Sequence, residues 1–596
     1  MKLSDYVLQT VAAAGVKHVF FVPGGAAMHL NDSLLNVDLE VLSSFHEHAS
    51  AVAAEAYGKL TNRLGVCMVT AGPGSTNALT GVASAWVNSA PLLILSGQVK
   101  RADLKGERPL RQSGLQEIDI VSIVAPITKY AATITDPATI RFHLEKAVHL
   151  ATSGRPGPVW LAFPLDVQAN EIDPDSLAGF TPPPPPRERG SLSELVEQVI
   201  DRLNSSARPI MLVGGGVRLA SAEERLLEVI RMLSIPVQTT WVGADLMGED
   251  HPQFAGRPGS FASRAANFAV QNCDFLLSVG ARLDFATTGY SRERFAREAF
   301  RVAVDVDPEE LEKMSSSLEL AVPSDALTFL EELLAQRERV QPGDRSAWHV
   351  RIQDWIQKYP VVTDDLRGYQ QNTSTYVVVD TLSELLEPDD VVVEGSSGIH
   401  AEIFFLAFRV KAGQRILADG SYGSMGYGLP AAIGACVAAG RRTILVDGDG
   451  SFQPNLQELE AVKRLNLPLK IVIVNNGGYS SIRASQSRYF GRLLAADASS
   501  GLTFPNLEKI AAAYGIPWRG VFCESELRPA LLETLNEIGP TICEVHVPAE
   551  EDRVPRLSNY QKENGVMVSR PLEDLFPFLD REEFRSNMII APIAED

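Results

Sequence analysis

Asp447-Gly448-Asp449-Gly450-Ser451-Phe452 is followed by an Asn475-Asn476 pair whose second member lies 27 positions after Asp449. Between them, Leu456, Leu459, Val462 and Leu465 recur at helical spacing, and the apolar runs Thr443–Val446 and Leu469–Val474 read as strands. A right-handed strand–helix–strand crossover puts Asp449 and Asn476 at the same end of two neighbouring parallel strands. A carboxylate and an amide oxygen there are hard ligands suited to Mg²⁺ or Ca²⁺, and Mg²⁺ completes its shell with phosphate and water. Gly448, Gly450, Gly477 and Gly478 let a diphosphate approach the backbone closely. Either half alone reads as an ordinary Asp-Gly or Asn-Gly turn. The two halves together, across one crossover, point to a metal–diphosphate site.

Elements of the same kind run through the whole chain. Short Val/Ile/Leu runs at 41–45, 65–70, 92–96, 210–213, 237–241, 275–279, 302–306 and 390–393 alternate with helical stretches such as Ala49–Leu60 and Thr76–Val87. Near-continuous apolar strands separated by helices indicate parallel sheets covered on both faces. The expected fold class is α/β, with three doubly wound parallel-sheet domains. The five prolines Pro182–Pro186 mark a boundary, and a polar stretch near 338–372 marks a weaker one. Expected domains are 1–180, 191–340 and 372–548, with a tail over 549–596.

Composition excludes several classes. The 596 residues are 45% apolar and 21% charged, which is ordinary for a globular protein. A formal charge of −20 argues against nucleic acid as partner. Five scattered Cys with no CxxC pair argue against a disulfide scaffold and a zinc site, and favour a reducing, cytoplasmic setting. No signal peptide and no apolar stretch of membrane-spanning length are expected.

GDGS followed at this spacing by NN resembles the thiamin-diphosphate motif of the pyruvate decarboxylase and acetohydroxyacid synthase superfamily. The resemblance implies pyrimidine-binding, middle and diphosphate-binding domains in that order. It implies that Asp449, Asn476 and the carbonyl of Gly478 hold Mg²⁺ on the cofactor's diphosphate. It assigns Glu47, in Phe45-His46-Glu47-His48 at a strand-to-helix turn, to the carboxyl group that exchanges a proton at N1′ of the aminopyrimidine. The Gly-Pro-Gly turn that accompanies it is Gly72-Pro73-Gly74, with Asn77 just beyond. Ser421-Tyr422-Gly423-Ser424-Met425 looks like the segment beneath the thiazolium, with Met425 as the wedge that bends the cofactor. Gly398 and His400 resemble the family's diphosphate-contacting Gly-x-His, with Ile399 where Gln is usual. Gln116 matches the Gln of the synthase-type Phe-Gln-Glu. In the family the glutamate and the metal site come from different subunits, so the resemblance implies a homodimer or homotetramer.

The acetohydroxyacid synthase pattern also holds FAD in a non-redox role. Gly214-Gly215-Gly216 after a strand, Thr239, Arg264, Arg282 and Arg155 match those positions in order. The synthases' Trp after the NN pair is absent, and Ser485 stands about there. Arg483, Arg488 and Arg492 follow the metal motif, and Arg483 and Arg488 are candidate acceptor contacts. The expected activity is that of a thiamin-diphosphate, Mg²⁺-dependent carboligase taking pyruvate or a similar 2-keto acid as donor and a second carbonyl compound as acceptor. Alternatives are a keto-sugar nucleotide as acceptor, a plain 2-keto acid decarboxylase, a cofactor-binding protein without turnover, and a nicotinamide dehydrogenase using Gly214–Gly216. The last lacks a GxGxxG with its downstream acid.

Overall fold

A computed structural model describes residues 1–183, 192–341, 343–368, 371–395, 398–561, 565 and 567–593. Most of the proline run and its Arg-Glu-Arg-Gly sequel lie outside the described residues.

Three parallel sheets account for the expected α/β class. In the first, the strands lie in the order Glu40–Ser43, His18–Phe21, Gly65–Val69, Leu92–Gln98, Pro158–Pro164, Tyr130–Thr133. In the third, the order is Arg415–Leu417, Val391–Glu394, Thr443–Gly448, Leu469–Asn475, Thr541–His546, Trp518–Val521. Counted within each domain, both orders are 2-1-3-4-6-5, so the outer domains repeat one topology. The middle sheet, built from strands between Pro209 and Pro323, is 2-1-3-4-5. In all three, strand order reverses between the first and third strands, and ligands of such folds bind outside the strands' carboxyl ends at that point.

The unbroken apolar runs are explained by burial on both faces. In the third sheet Val392, Ile444, Val446, Val472 and Val474 feed one core, while Val391, Val393, Leu445, Ile471 and Ile473 feed the core on the opposite face. Period-2 alternation therefore sorts side chains between two equally dry sides and leaves no polar face in the sequence.

The outer domains meet through helices Glu47–Thr61 and Gly428–Ala439, whose Val52, Ala56, Leu429 and Ile433 share a core. The approach is close enough that a Cβ on Gly434 would stand 2.0 Å from the carbonyl oxygen of Ala53. The chain after 548 is placed mainly as a strap. Glu551 accepts the amide of Thr375, Tyr376 donates its hydroxyl to Val554, and Leu572 and Phe584 join the core under Phe268 in the middle domain.

Candidate active site

The strands Thr443–Gly448 and Leu469–Asn475 pair in parallel with Gly448 opposite Val474. Their ends bring Asp449 and Asn476 side by side, as the crossover spacing requires. Asp449 Oδ2 accepts the amides of Gly477 (2.9 Å) and Gly478 (3.2 Å), and Oδ1 accepts that of Gly450 (3.0 Å). Burial lifts its carboxyl to about 7 despite these three donors. A carboxylate held this dry is short of positive charge, which a divalent cation would supply. Asn476 stands beside it with its side-chain oxygen 3.2 Å from Arg483. A Cβ on Gly478 would lie 2.3 Å from the carbonyl oxygen of Ala496, so only glycine lets this backbone close on the motif.

Arg483 does not face outward. It is buried and binds the Asn476 carbonyl (3.1 Å), the Ala549 carbonyl (2.7 Å) and Asp497 (3.4 Å). The structure places it as a clamp on the loop that starts at Asn476, because those three acceptors hold its fork. Arg488, one turn and a half further along helix Ser480–Phe490, is exposed.

At the reversal between strands Val391–Glu394 and Thr443–Gly448, three ionisable side chains are buried together. His400 Nε2 lies 3.5 Å from Glu394 and 3.7 Å from Asp447. Burial lowers the imidazole to about 4 and raises the Asp447 carboxyl to about 8, so the pair is kept uncharged near neutrality. A Cβ at Gly395 or Gly428 would strike the Asp447 carboxyl at 2.2 or 2.4 Å, and one at Gly448 would press on His400. Ser451 donates its hydroxyl to the Gly395 carbonyl and tethers the two strand ends. Gly398 opens helix Ile399–Ala407 at φ +106°, where a side chain would be strained.

Met425 projects into the open, 45% exposed, from a loop held at every corner. Asp419 accepts from Ser424 on the loop and from Asn88 (2.6 Å) and Ser84 in the first domain. Gly423 turns back onto the Asp419 carbonyl at φ +68°. Tyr427 donates to Glu55 (2.9 Å), and Lys59 donates to the Ala418 carbonyl. Asn455, at a kink in the segment Gln453–Glu458, donates to the Gly426 carbonyl (2.7 Å).

Glu47 is the first residue of helix Glu47–Thr61, capped by the His46 side chain, so its position follows from the local turn. Its Oε2 accepts from Asn77 (2.9 Å), and a Cβ on Gly74 would come 3.1 Å from its Oε1. Gly72, at φ +60°, lies so close to the Gln116 carbonyl that a Cβ would meet it at 2.3 Å. Glu47, Gly74, Asn77 and Gln116 thus form one cluster. Among the described residues no hydrogen bond joins Glu47 to the Met425 loop. The two halves are linked instead by Glu458, which accepts the amides of Phe45 and His46, and by His48 beside Asn455.

The middle domain has a cavity lined by Arg155, Gly215, Gly216, Thr240, Arg282 and Asp325, among others. Arg155 pairs with Asp307 and Glu310, and Arg282 with Glu310. Gly214 is packed against Gly280 and Ala281 beneath it. Two expected contacts lie elsewhere. Thr239 is fully buried in its strand, leaving Thr240 on the cavity wall, and Arg264 is taken by the carbonyls of Leu575 and Pro577 in the strap.

Sequence reasoning missed Glu55, Asp419, Asn455 and Glu458. They hold the site from partners hundreds of positions away, and each looks in sequence like an ordinary helix or loop residue. Glu117, next to Gln116, is a further such residue. Its carboxylate gathers the amides of Lys105, Ser113 and Gly114 and so shapes the Gln116 loop.

Three family models match in order: thiamine pyrophosphate enzyme, N-terminal TPP binding domain, at residues 1–123; central domain, at 196–333; and C-terminal TPP binding domain, at 396–545. The chain is 32% identical to a probable acetolactate synthase large subunit of Methanocaldococcus jannaschii, over 92% of this chain and 93% of that one. It is 32% identical to the acetolactate synthase large subunit of Porphyra purpurea, over 94% of each. It is also 32% identical to acetolactate synthase 1, chloroplastic, of Oryza sativa subsp. japonica, over 93% of this chain and 86% of that one.

Proposed function

The chain belongs to the thiamine pyrophosphate enzymes, and from that premise we propose that it is an acetolactate synthase-like carboligase that takes pyruvate as donor and joins the two-carbon unit to a second 2-keto acid. The observation that carries this is that neighbouring strand ends bring Asp449 and Asn476 together while Asn77 holds the helix-starting Glu47, in a chain similar to acetolactate synthases along nearly its whole length. These relatives favour a 2-keto acid over a keto-sugar nucleotide as acceptor.

When bound, thiamin diphosphate supplies the electron sink that makes decarboxylation of a 2-keto acid feasible. The residues do the rest. Asp449, Asn476 and the Gly478 carbonyl would hold Mg²⁺, and the raised Asp449 carboxyl supports a cation there. The His400 imidazole, buried and uncharged, has an Nε2 without a hydrogen-bond partner among the described residues and faces the cradle between the strand ends. Glu47, oriented by Asn77, holds and returns a proton at the aminopyrimidine N1′. Met425, fixed through Asp419, Asn455 and Tyr427, fills the space beneath the ring. FAD would be held in the middle-domain cavity beside Gly215 and Gly216, where Arg155 and Arg282 would meet its diphosphate by turning from Asp307 and Glu310.

The working form is a homodimer or a homotetramer built as a dimer of dimers, with Glu47 of one subunit facing the metal end of the other. Supporting this, Phe45, Leu115, Tyr422 and Met425 are exposed beside the two half-sites. No helix among the described residues is long and apolar enough to cross a membrane. The five unpaired thiols suit a reducing, cytoplasmic setting.

The test is reconstitution. Protein stripped with a chelator and dialysed is expected to release CO₂ from pyruvate only when thiamin diphosphate and Mg²⁺ are both restored. CO₂ release without the cofactor would overturn the proposal.

A further inference from the structure

Two arginines of the strap, Arg553 and Arg556, and one of helix Ser480–Phe490, Arg488, converge beside the two elements expected to hold the cofactor end. Arg553, on the strap, binds Glu402 (2.6 Å) and the Ser481 hydroxyl (3.2 Å) and lies over the Phe261 ring. Glu402 belongs to helix Ile399–Ala407, which starts at Gly398, and Ser481 to helix Ser480–Phe490, which follows the Asn476–Gly478 loop. Ser481, Ser485 and Arg488 recur at i, i+4 and i+7 and so share one face of that helix. Arg556 is fixed on the strap by backbone bridges to Phe261 and Phe576.

The charges in this cluster do not balance. Glu402 answers Arg553, but neither the Arg488 nor the Arg556 side chain has a hydrogen-bond or ion-pair partner among the described residues. Arg556 is half-buried, with its guanidinium stacked 5.1 Å over Phe576; burial and the like charges of Arg488 and Arg553 lower its affinity for a proton, and the carboxylates of Asp552 and Glu402 offset this only in part. Two unpaired guanidiniums within range of each other, one of them half-buried and also facing Arg553, are unfavourable unless an anion joins them. Such forks match a carboxylate in two-point geometry.

We propose that Arg556 and Arg488, with Arg553 as the positioning member tied to Glu402, form the subsite that takes the carboxylate of the acceptor 2-keto acid. The inference rests on the carboligase reading above. The acceptor's carbonyl then points toward the Ser481–Ser485 face and the cofactor end, while its carboxylate sits under the strap. Acceptor choice is therefore set by groups outside the metal motif, two of which, Arg553 and Arg556, lie on a segment that the three family models do not reach.

The test compares two acceptors in the holoenzyme with pyruvate as donor: pyruvate itself, and benzaldehyde, which has no carboxylate. In Arg556→Gln, ligation to pyruvate is expected to fall relative to ligation to benzaldehyde by roughly tenfold to hundredfold, through acceptor KM, as for loss of a charge-assisted hydrogen bond. Arg556→Lys should recover part of the ratio. An unchanged ratio, with both acceptors affected alike or neither, overturns the subsite. If the wild type ligates neither acceptor, the carboligase reading fails, and the subsite is judged by binding of oxamate followed by NMR. Weaker oxamate binding in Arg556→Gln than in wild type would uphold it, and equal binding would refute it.

Discussion

Replacing Glu47 by Gln separates the fold from the chemistry at one oxygen. Glu47 Oε2 accepts from Asn77 at 2.9 Å, and an amide oxygen can accept the same bond. What the fold loses is the charge at a helix start, worth about 0.3–1 kcal/mol. A loss of that size leaves a chain with a core on each face of its sheets folded. What the chemistry loses is a group that can take and return a proton, worth about 10²–10⁴ in rate, or ~3–5 kcal/mol of barrier. The two costs differ enough to be told apart. The assay is hydrogen–deuterium exchange at the cofactor C2, quenched in acid and read by NMR at saturating thiamin diphosphate and Mg²⁺. Asn77→Ala is the control, since it removes only an orienting bond of about 0.5–1.5 kcal/mol and should slow exchange tenfold at most. Wild-type exchange in Glu47→Gln would refute the assignment, as would a larger loss in Asn77→Ala than in Glu47→Gln.

Asp449→Ala removes the carboxylate that accepts the Gly477 and Gly478 amides, so cofactor retention through gel filtration should be lost and partly restored by excess Mg²⁺; unchanged affinity for cofactor would misplace the metal site. Gly434→Ala drives a methyl to 2.0 Å from a helix carbonyl, where only backbone can give way, and should destabilise by about 1–3 kcal/mol or more in urea; a neutral result would mean that the two helices are not this close. The Glu458 carboxyl is raised to about 7 by burial, so its contribution to stability is whole below about 4.5 and is lost as pH rises through 7, by about 3 kcal/mol at full effect. Glu458→Gln should therefore lose less thermal stability than wild type between pH 5 and pH 8, and parallel Tm profiles would contradict this.

The parts of the site legible in the sequence are those whose geometry is local. Asp449 and Asn476 are joined by a single crossover whose hand is fixed, so spacing alone places them together. Glu47 sits at a helix start that its own flanking residues specify. The α/β class was legible because strands buried on both faces leave apolar runs. Contacts between distant segments were not legible. Nothing near Arg483 says that its fork will be filled by Asn476 and Ala549, and nothing near Arg264 says that the strap will claim it. Thr239 and Thr240 differ only in which way a strand end points, and a one-residue shift exchanges wall for core. The strap's arginines carry no motif at all, and their meaning comes from the helices on which they land.

The central claim is that the bound two-carbon unit is passed to a second 2-keto acid and not merely protonated. The most direct measurement is the stoichiometry of the purified holoenzyme supplied with pyruvate alone, counting pyruvate consumed, CO₂ released and 2-acetolactate formed. The account predicts two molecules of pyruvate consumed for each CO₂, with 2-acetolactate as the product. One pyruvate per CO₂, with acetaldehyde accumulating in place of 2-acetolactate, would contradict it.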